Sequence, residues 1–192
     1  MTPERFCLPS VRIGKSEVYR YMGCREMPSD EIRALVEASI TEAETSASYQ
    51  VCFLKFPMKI EDDAVTFGIF PPVKSSKLAA HFAGCSHAVI FCASCGAFFD
   101  RKIAAAQLSP VSAMIWDAVG TAAVEQLCDD FCEKMQTVRS RFSPGYGDLP
   151  LAFQYDLLNW LDASRYPGVG LTDSLLMTPV KSVTAIAALE TI

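Results

Sequence analysis

Apolar residues recur at helical spacing in six segments of the chain, and serines mark several of their starts. Ser29 is a good helix cap before an apolar stripe, and two acidic residues follow it in the first turn. Ser109 followed by Pro110 is a strong start signal for a long helix. The predicted helices cover residues 15–22, 30–46, 77–82, 98–107, 110–138 and 151–163.

Runs of β-forming residues predict five strands, at residues 49–58, 64–70, 87–92, 171–177 and 182–189. The third is nearly all apolar, which is typical of a strand buried on both faces. The last two read as a hairpin joined around residues 178–181, and residues 1–14 as an N-terminal arm. Irregularly interleaved helices and hairpins predict an α+β fold, a twisted, largely antiparallel sheet with helices packed around it. We expect one domain over residues 1–192.

The long predicted helix changes its buried face near its middle. At 100° per residue, four apolar residues of its first half lie within about 40° of one direction. Glu125 and Asp129 continue that line, whereas the apolar residues of the second half lie on the opposite side. One interpretation is that this side emerges into solvent. The other is that Glu125 faces the edge of a pocket. The residues concerned are Val111, Ile115, Ala118 and Ala122 in the first half and Val124, Leu127, Cys128, Phe131, Met135 and Val138 in the second.

The stretch after this helix, residues 141–150, reads Arg-Phe-Ser-Pro-Gly-Tyr-Gly-Asp-Leu-Pro. The guanidinium of Arg141 can hold a carboxylate through two hydrogen bonds. Gly145 would let a flat ligand approach the backbone, Pro144 stiffens the loop, and Tyr146 can stack on a ring. The loop therefore suits a ligand that joins an amino-acid carboxylate to an adenine-like group. A tight turn with a surface arginine is the alternative.

Composition narrows the class of protein. Apolar residues make up 51% of the chain and charged residues 20%, which excludes general disorder. The net charge is −5 and no run rich in lysine and arginine occurs, so we expect neither a nucleic-acid partner nor a membrane. The N-terminus lacks the pattern of a signal peptide, which predicts a cytoplasmic protein with free thiols.

The eight cysteines suggest redox chemistry or metal binding as a second possible function. Cys92 and Cys95 have the spacing of a redox pair or half a zinc site, and Cys128 and Cys132 are neighbours on one predicted helix. However, there is no second CxxC, Cys92 lies in a buried-strand pattern, and free cysteine is commonly a core residue. We therefore predict no metal site, and a cysteine-based redox or metal protein is the least favoured function.

At the loop, a family resemblance appears. The motif Arg141-x-x-x-Gly145-Tyr146 resembles the RxxxGY motif of the activation (reactivation) domain of cobalamin-dependent methionine synthase. The likeness extends over about residues 85–190 and is greatest to free-standing bacterial versions of the domain. It is carried by residues 141–150, by Asp-Ala-Val-Gly-Thr-Ala-Ala-Val-Glu at 117–125, by Leu-Thr-Asp-Ser at 171–174, and by Met177, Pro179 and Lys-Ser-Val at 181–183.

The resemblance implies a methionine synthase activation domain-like fold and a binding site for S-adenosylmethionine. Arg141 would hold the methionine carboxylate, and Glu125 would lie near the amino group. Residues 141–146, including Ser143, Pro144, Gly145 and Tyr146, would meet the adenosine portion.

The resemblance also implies partners. Reactivation couples one-electron reduction of inert cob(II)alamin to methyl transfer from S-adenosylmethionine. The partner would be a corrinoid-binding methionine synthase or a related corrinoid protein, which carries the cobalamin, with a flavodoxin-like electron donor. No catalytic acid or base is implied, because the ligand already carries an activated methyl group. The chain would thus be a non-autonomous component of methionine synthase activity.

One segment departs from the family pattern. Where the large enzyme has a histidine-bearing segment that faces the cobalamin, this chain has Leu-Ala-Phe-Gln at residues 151–154. The alternative function is therefore a non-catalytic module that binds S-adenosylmethionine or a related nucleoside, or that helps assemble another corrinoid system.

Overall fold

The computed structural model describes residues 2–189. The prediction of one domain over 1–192 includes Met1 and residues 190–192, which lie outside the described residues, and it stays a prediction. No helix within the described range is both long enough and apolar enough to span a membrane. The helices are α1 (Lys15–Tyr21), α2 (Asp30–Ser46), α3 (Ser76–His81), α4 (Phe98–Ala105), α5 (Pro110–Met135) and α6 (Gln154–Trp160). The strands are β1 (Glu4–Leu8), β2 (Tyr49–Glu61), β3 (Ala64–Phe67), β4 (Val73–Lys74), β5 (His87–Ser94), β6 (Gly170–Leu171), β7 (Met177–Thr178) and β8 (Ser182–Leu189).

The main sheet has the order β4-β3-β2-β5-β8, and its pairs are antiparallel. Strand β2 is long enough to take two partners on one edge: β1 pairs with its first half and β3 with its second. In the register, Phe53 lies opposite Phe91, and Phe91 lies opposite Ala185. The predicted α+β class with a largely antiparallel sheet and packed helices is confirmed.

Alternation along the central strands divides the core into two layers. Val89, Phe91 and Ala93 of β5 pack in one cluster with α1, α2 and α5. Ile90 and Cys92 belong to the other cluster, with α3 and α6. Because successive strand residues point to opposite faces, a strand covered on both sides must be apolar throughout. This explains the continuous apolar pattern of β5, as predicted.

Local cap chemistry accounts for the helix starts. Ser29, Ser75 and Ser109 each accept a hydrogen bond from a backbone NH in the first turn of α2, α3 and α5. Helix α5 ends earlier than predicted, at Met135, because Gln136 adopts a left-handed conformation with φ of 55° and caps it.

The predicted change of face in α5 occurs. Ile115 in the first half and Leu127 and Phe131 in the second half are all buried. The ring of Phe131 lies 4.8 Å from that of Phe91, so the second half of the helix packs on the sheet. Val111, predicted to continue the first stripe, is instead 42% exposed, because the first turn of α5 extends past the core.

The predicted C-terminal hairpin is wrong. Residues 172–176 form a tight turn: Thr172 donates its NH to the carbonyl of Leu176 at 2.9 Å, and its hydroxyl accepts from the NH of Leu176 at 3.1 Å. These local bonds close a short antiparallel ribbon of β6 and β7, so residues 171–177 fold back on themselves and do not form one strand. Strand β8 pairs with β5 instead, where its apolar residues are covered on both faces.

The ends of two other segments also differ from prediction. The N-terminal arm contains β1, which pairs with β2 from Glu4↔Phe53 to Leu8↔Tyr49. The helix predicted over 151–163 begins as a 3-10 turn at Leu151–Phe153, and α6 ends at Trp160. Asp162 follows with φ of 47°, a conformation that a helix cannot continue through.

Candidate functional site

The segment after α5 lies against the free edge of β8. Val138 donates its NH to the carbonyl of Ala188 at 3.0 Å, and Phe142 exchanges two hydrogen bonds with Ile186 at 2.8 and 2.9 Å. Thr137 also bridges to Leu189. The segment takes five residue steps between its two bridges, where β8 takes three, so it bulges outward. The bulge carries Arg141 out of the sheet and toward the second half of α5.

Internal hydrogen bonds define the loop that follows. The NH of Gly145 donates to the carbonyl of Leu149 at 2.9 Å, and that of Leu149 donates to Tyr146 at 3.0 Å. Gly145 has φ of +91° and Gly147 has φ of +56°, conformations that favour glycine. Leu149 is 2% exposed and anchors the loop in the core. Its own hydrogen bonds and the buried side chain of Leu149 therefore hold the backbone of the loop in a defined conformation.

Asp148 ties this loop to the start of α3. Its carboxylate accepts from the hydroxyl of Ser75, from the NH and hydroxyl of Ser76 at 2.8 and 2.7 Å, and from the NH of Lys77 at 3.1 Å. These hydrogen bonds, the one from Ser75 most of all, hold the pKa of Asp148 well below its ordinary value. The sequence reasoning did not single out this residue.

Arg141 joins the loop to α5 through two carboxylates. One terminal nitrogen of its guanidinium donates to Glu125 and the other to Asp129. Its side chain is 20% exposed, while those of Glu125 and Asp129 are 41% and 61% exposed. Burial acts against the charge of Arg141, but the hydrogen bond to Asp129 and the nearby carboxylates keep its pKa above the ordinary value. The structure therefore places both carboxylates of the predicted line on one cation.

These groups line a cleft of about 650 Å³. Five of the six predicted site residues line it. The sixth, Gly145, is exposed on the loop beside them. The five are Glu125, Arg141, Ser143, Pro144 and Tyr146.

The cleft also contains residues that sequence reasoning missed. Thr184 of β8 is 2% exposed, and its hydroxyl has no hydrogen-bond partner within residues 2–189. Gln154 is 4% exposed and donates to the carbonyl of Leu175 at 3.2 Å. Met177 and Arg139 complete much of the wall. No local pattern marks them as site residues, because they come from four separate segments: β8, α6, β7 and the segment after α5.

The predicted pair of Cys92 and Cys95 does not have the character of reactive thiols. Cys92 and Cys95 are fully buried. A hydrogen bond with Cys52 and burial raise the pKa of Cys92, and burial raises that of Cys95 to about 12. Both are therefore protonated at neutral pH. Among residues 2–189, no group of three or more histidine, cysteine, aspartate or glutamate side chains is placed to hold a metal ion.

The architecture can be compared with known proteins. No family model matches the chain, and no curated protein sequence matches it. A solved structure does: the crystal structure of the MetH reactivation domain bound to AdoHcy, with a TM-score of 0.76 and 14% sequence identity. The alignment covers 98% of this chain and 78% of that one. The chain therefore has the fold of the MetH reactivation domain, the activation-domain fold that the sequence resemblance implies.

Proposed function

We propose that this chain binds S-adenosylmethionine and supports reductive methylation of cob(II)alamin in a cobalamin-dependent methionine synthase or a related corrinoid protein. The observation that carries the proposal is the cleft in which Arg141, Glu125 and the loop at 143–146 come together. Its volume of about 650 Å³ lies within the usual range for small-molecule sites, roughly 300–1,000 Å³.

The charges of the cleft suit the two ends of a methionine moiety. Arg141 would bind the carboxylate, because its planar guanidinium matches carboxylate geometry. Glu125 would accept from the amino group, since it already lies beside Arg141 at the cleft wall. The loop would receive the adenosine through Ser143, Pro144, Gly145 and Tyr146, with the ring of Tyr146, 66% exposed, free to cover a base.

In methyl transfer from S-adenosylmethionine, the role of the protein would be to position the reacting groups. S-adenosylmethionine supplies an activated methyl group when bound. The chain's residues would orient that group toward a corrinoid on a partner protein and limit the access of water. A separate donor, of the flavodoxin kind, would supply the electron. The protein would act as a non-autonomous component of methionine synthase activity.

Binding is the first test. Isothermal titration with S-adenosylmethionine should give saturable heat for the wild type, and Arg141→Ala should weaken binding about 10- to 100-fold, because a charged hydrogen-bond donor is lost. Arg165→Ala is the matched control, since Arg165 is 80% exposed and outside this cleft. Equal affinity of Arg141→Ala and the wild type would contradict the proposal.

Methyl transfer is the second test. The purified chain, a corrinoid-binding protein, reduced flavodoxin and S-adenosylmethionine carrying a labelled methyl group should together produce labelled methylcobalamin. Omission of the chain should abolish the label, and Arg141→Ala should reduce it. Saturable binding without methyl transfer would favour the non-catalytic binding or assembly module instead.

A further inference from the structure

Arg141 already forms two ion pairs, and a ligand carboxylate that binds Arg141 would compete with them. Each terminal nitrogen of the guanidinium already donates to a carboxylate of α5, one to Glu125 and one to Asp129. A guanidinium has five N–H donors, so three remain free, but a third carboxylate would bring three negative charges onto one cation. Their mutual repulsion favours the release of one of the two carboxylates that are already bound. Which one is replaced decides how the cleft selects its ligand.

The two carboxylates differ in how easily they can leave. The side chain of Asp129 is 61% exposed, and that of Glu125 is 41% exposed. Within the described residues, the carboxylate of Asp129 accepts a hydrogen bond from Arg141 alone. Because Asp129 is mostly in solvent, water can hydrate its carboxylate as soon as the contact breaks. The two contacts use different nitrogens, so Asp129 can leave while Glu125 stays.

We propose that Asp129 is a specificity-determining residue of the cleft: it holds the position on Arg141 that the ligand's carboxylate takes, and the ligand must displace it. The inference rests on the proposed function. A ligand with a carboxylate exchanges one ion pair for another and leaves Glu125 for its amino group. A ligand without a carboxylate leaves Asp129 on Arg141. Asp129 therefore reduces the advantage that a carboxylate gives, and its removal should enlarge that advantage.

The test compares two ligands that differ only in the carboxylate, S-adenosylmethionine and decarboxylated S-adenosylmethionine, by isothermal titration. Asp129→Asn should bind S-adenosylmethionine about 2- to 5-fold more tightly than the wild type, the range expected for losing competition from an exposed ion pair. Binding of the decarboxylated ligand should be unchanged or weaker, because the variant gains no carboxylate partner and loses a nearby negative charge.

Asp130→Asn is the matched control. Asp130 is the next residue of α5, accepts from Gln126 at 2.7 Å, and its substitution removes the same unit of charge. It should leave the affinity ratio of the two ligands as it is in the wild type. Asp129→Ala repeats the test without an amide that can hydrogen-bond to Arg141, and melting temperatures establish that each variant is folded.

Two results would overturn the inference while the proposed function stands. One is weaker binding of S-adenosylmethionine by Asp129→Asn, since Asp129 would then support the ligand. The other is equal tightening of both ligands, which would indicate a general effect of charge. Failure of the wild type to bind S-adenosylmethionine would overturn the proposed function, and this inference with it.

Discussion

A single carboxylate, Asp148, links the candidate ligand loop to a distant part of the chain. Its oxygens accept hydrogen bonds from Ser75, Ser76 and Lys77, which lie more than 70 positions earlier in the sequence. The charged form makes these bonds, so folding favours ionisation and depresses its pKa. A group with a depressed folded-state pKa stabilises the protein above its unfolded pKa, and this contribution is lost as the pH falls toward the folded value.

Asp148→Asn should therefore lower the melting temperature by about 2–4 °C at pH 7, because a neutral amide is a weaker acceptor. The difference from the wild type should be constant down to about pH 4 and shrink below it, since the ordinary pKa is 3.8. Thermal melts from pH 7 to pH 3 measure this. Asp173→Asn, in an exposed turn, is the control. A difference that stays constant throughout would exclude this account.

The conformation of the loop at 143–150 depends on close packing against α3 as well as on hydrogen bonds. A Cβ added at Gly147 would lie 2.9 Å from both Cβ and Cγ of Lys77, in addition to the strain of a positive φ. Gly23 also has a positive φ of +73°, but nothing lies within 4 Å of the corresponding position. The two glycines therefore separate backbone strain from steric conflict.

Gly23→Ala should cost about 1–2 kcal/mol of unfolding free energy, the usual strain of a left-handed L-residue. Gly147→Ala should cost more, because the stem of Lys77 must also move. It should in addition weaken binding of S-adenosylmethionine, whereas Gly23→Ala should not. Urea unfolding and isothermal titration on both variants measure these effects. Equal stability losses would show that the contact with Lys77 is without consequence.

Across the whole molecule, α5 connects the core to the cleft. Phe131 packs its ring 5.7 Å from Phe6, 5.2 Å from Phe53 and 4.8 Å from Phe91, so the helix is held against β1, β2 and β5 at one point. Asp129 lies on the exposed side of the same part of the helix. The position of the cleft carboxylates therefore depends on the packing of Phe131.

Phe131→Ala should lower the free energy of unfolding by about 3–5 kcal/mol, because Phe131 is fully buried and its truncation leaves a cavity. Val111→Ala on the same helix should cost less than about 0.5 kcal/mol, since Val111 is 42% exposed. Denaturant titrations measure both. A large loss at Val111 would indicate that it belongs to the buried stripe of the first half, as the helical spacing predicted.

Local chemistry in the sequence determined where several helices start and which strand is buried on both faces. The serine caps before α2, α3 and α5, the apolar run of β5 and the proline at the start of α5 act within a few residues, so their effects can be read from the chain itself. The change of face in α5 is also local, because it follows from 100° per residue. The motif at residues 141–146 indicated four of the residues that line the cleft, namely Arg141, Ser143, Pro144 and Tyr146.

Tertiary structure alone decided which distant residues meet. The pairing of β8 with β5, the bulge that carries Arg141, and the contact of Asp148 with α3 each join parts of the chain far apart in sequence. The same is true of Thr184, which lies on β8 and becomes part of the cleft only because the bulge and α5 lie beside it. Spacing along a chain records the period of each element, but the pairing of distant elements depends on the summed burial and hydrogen bonding of the whole fold.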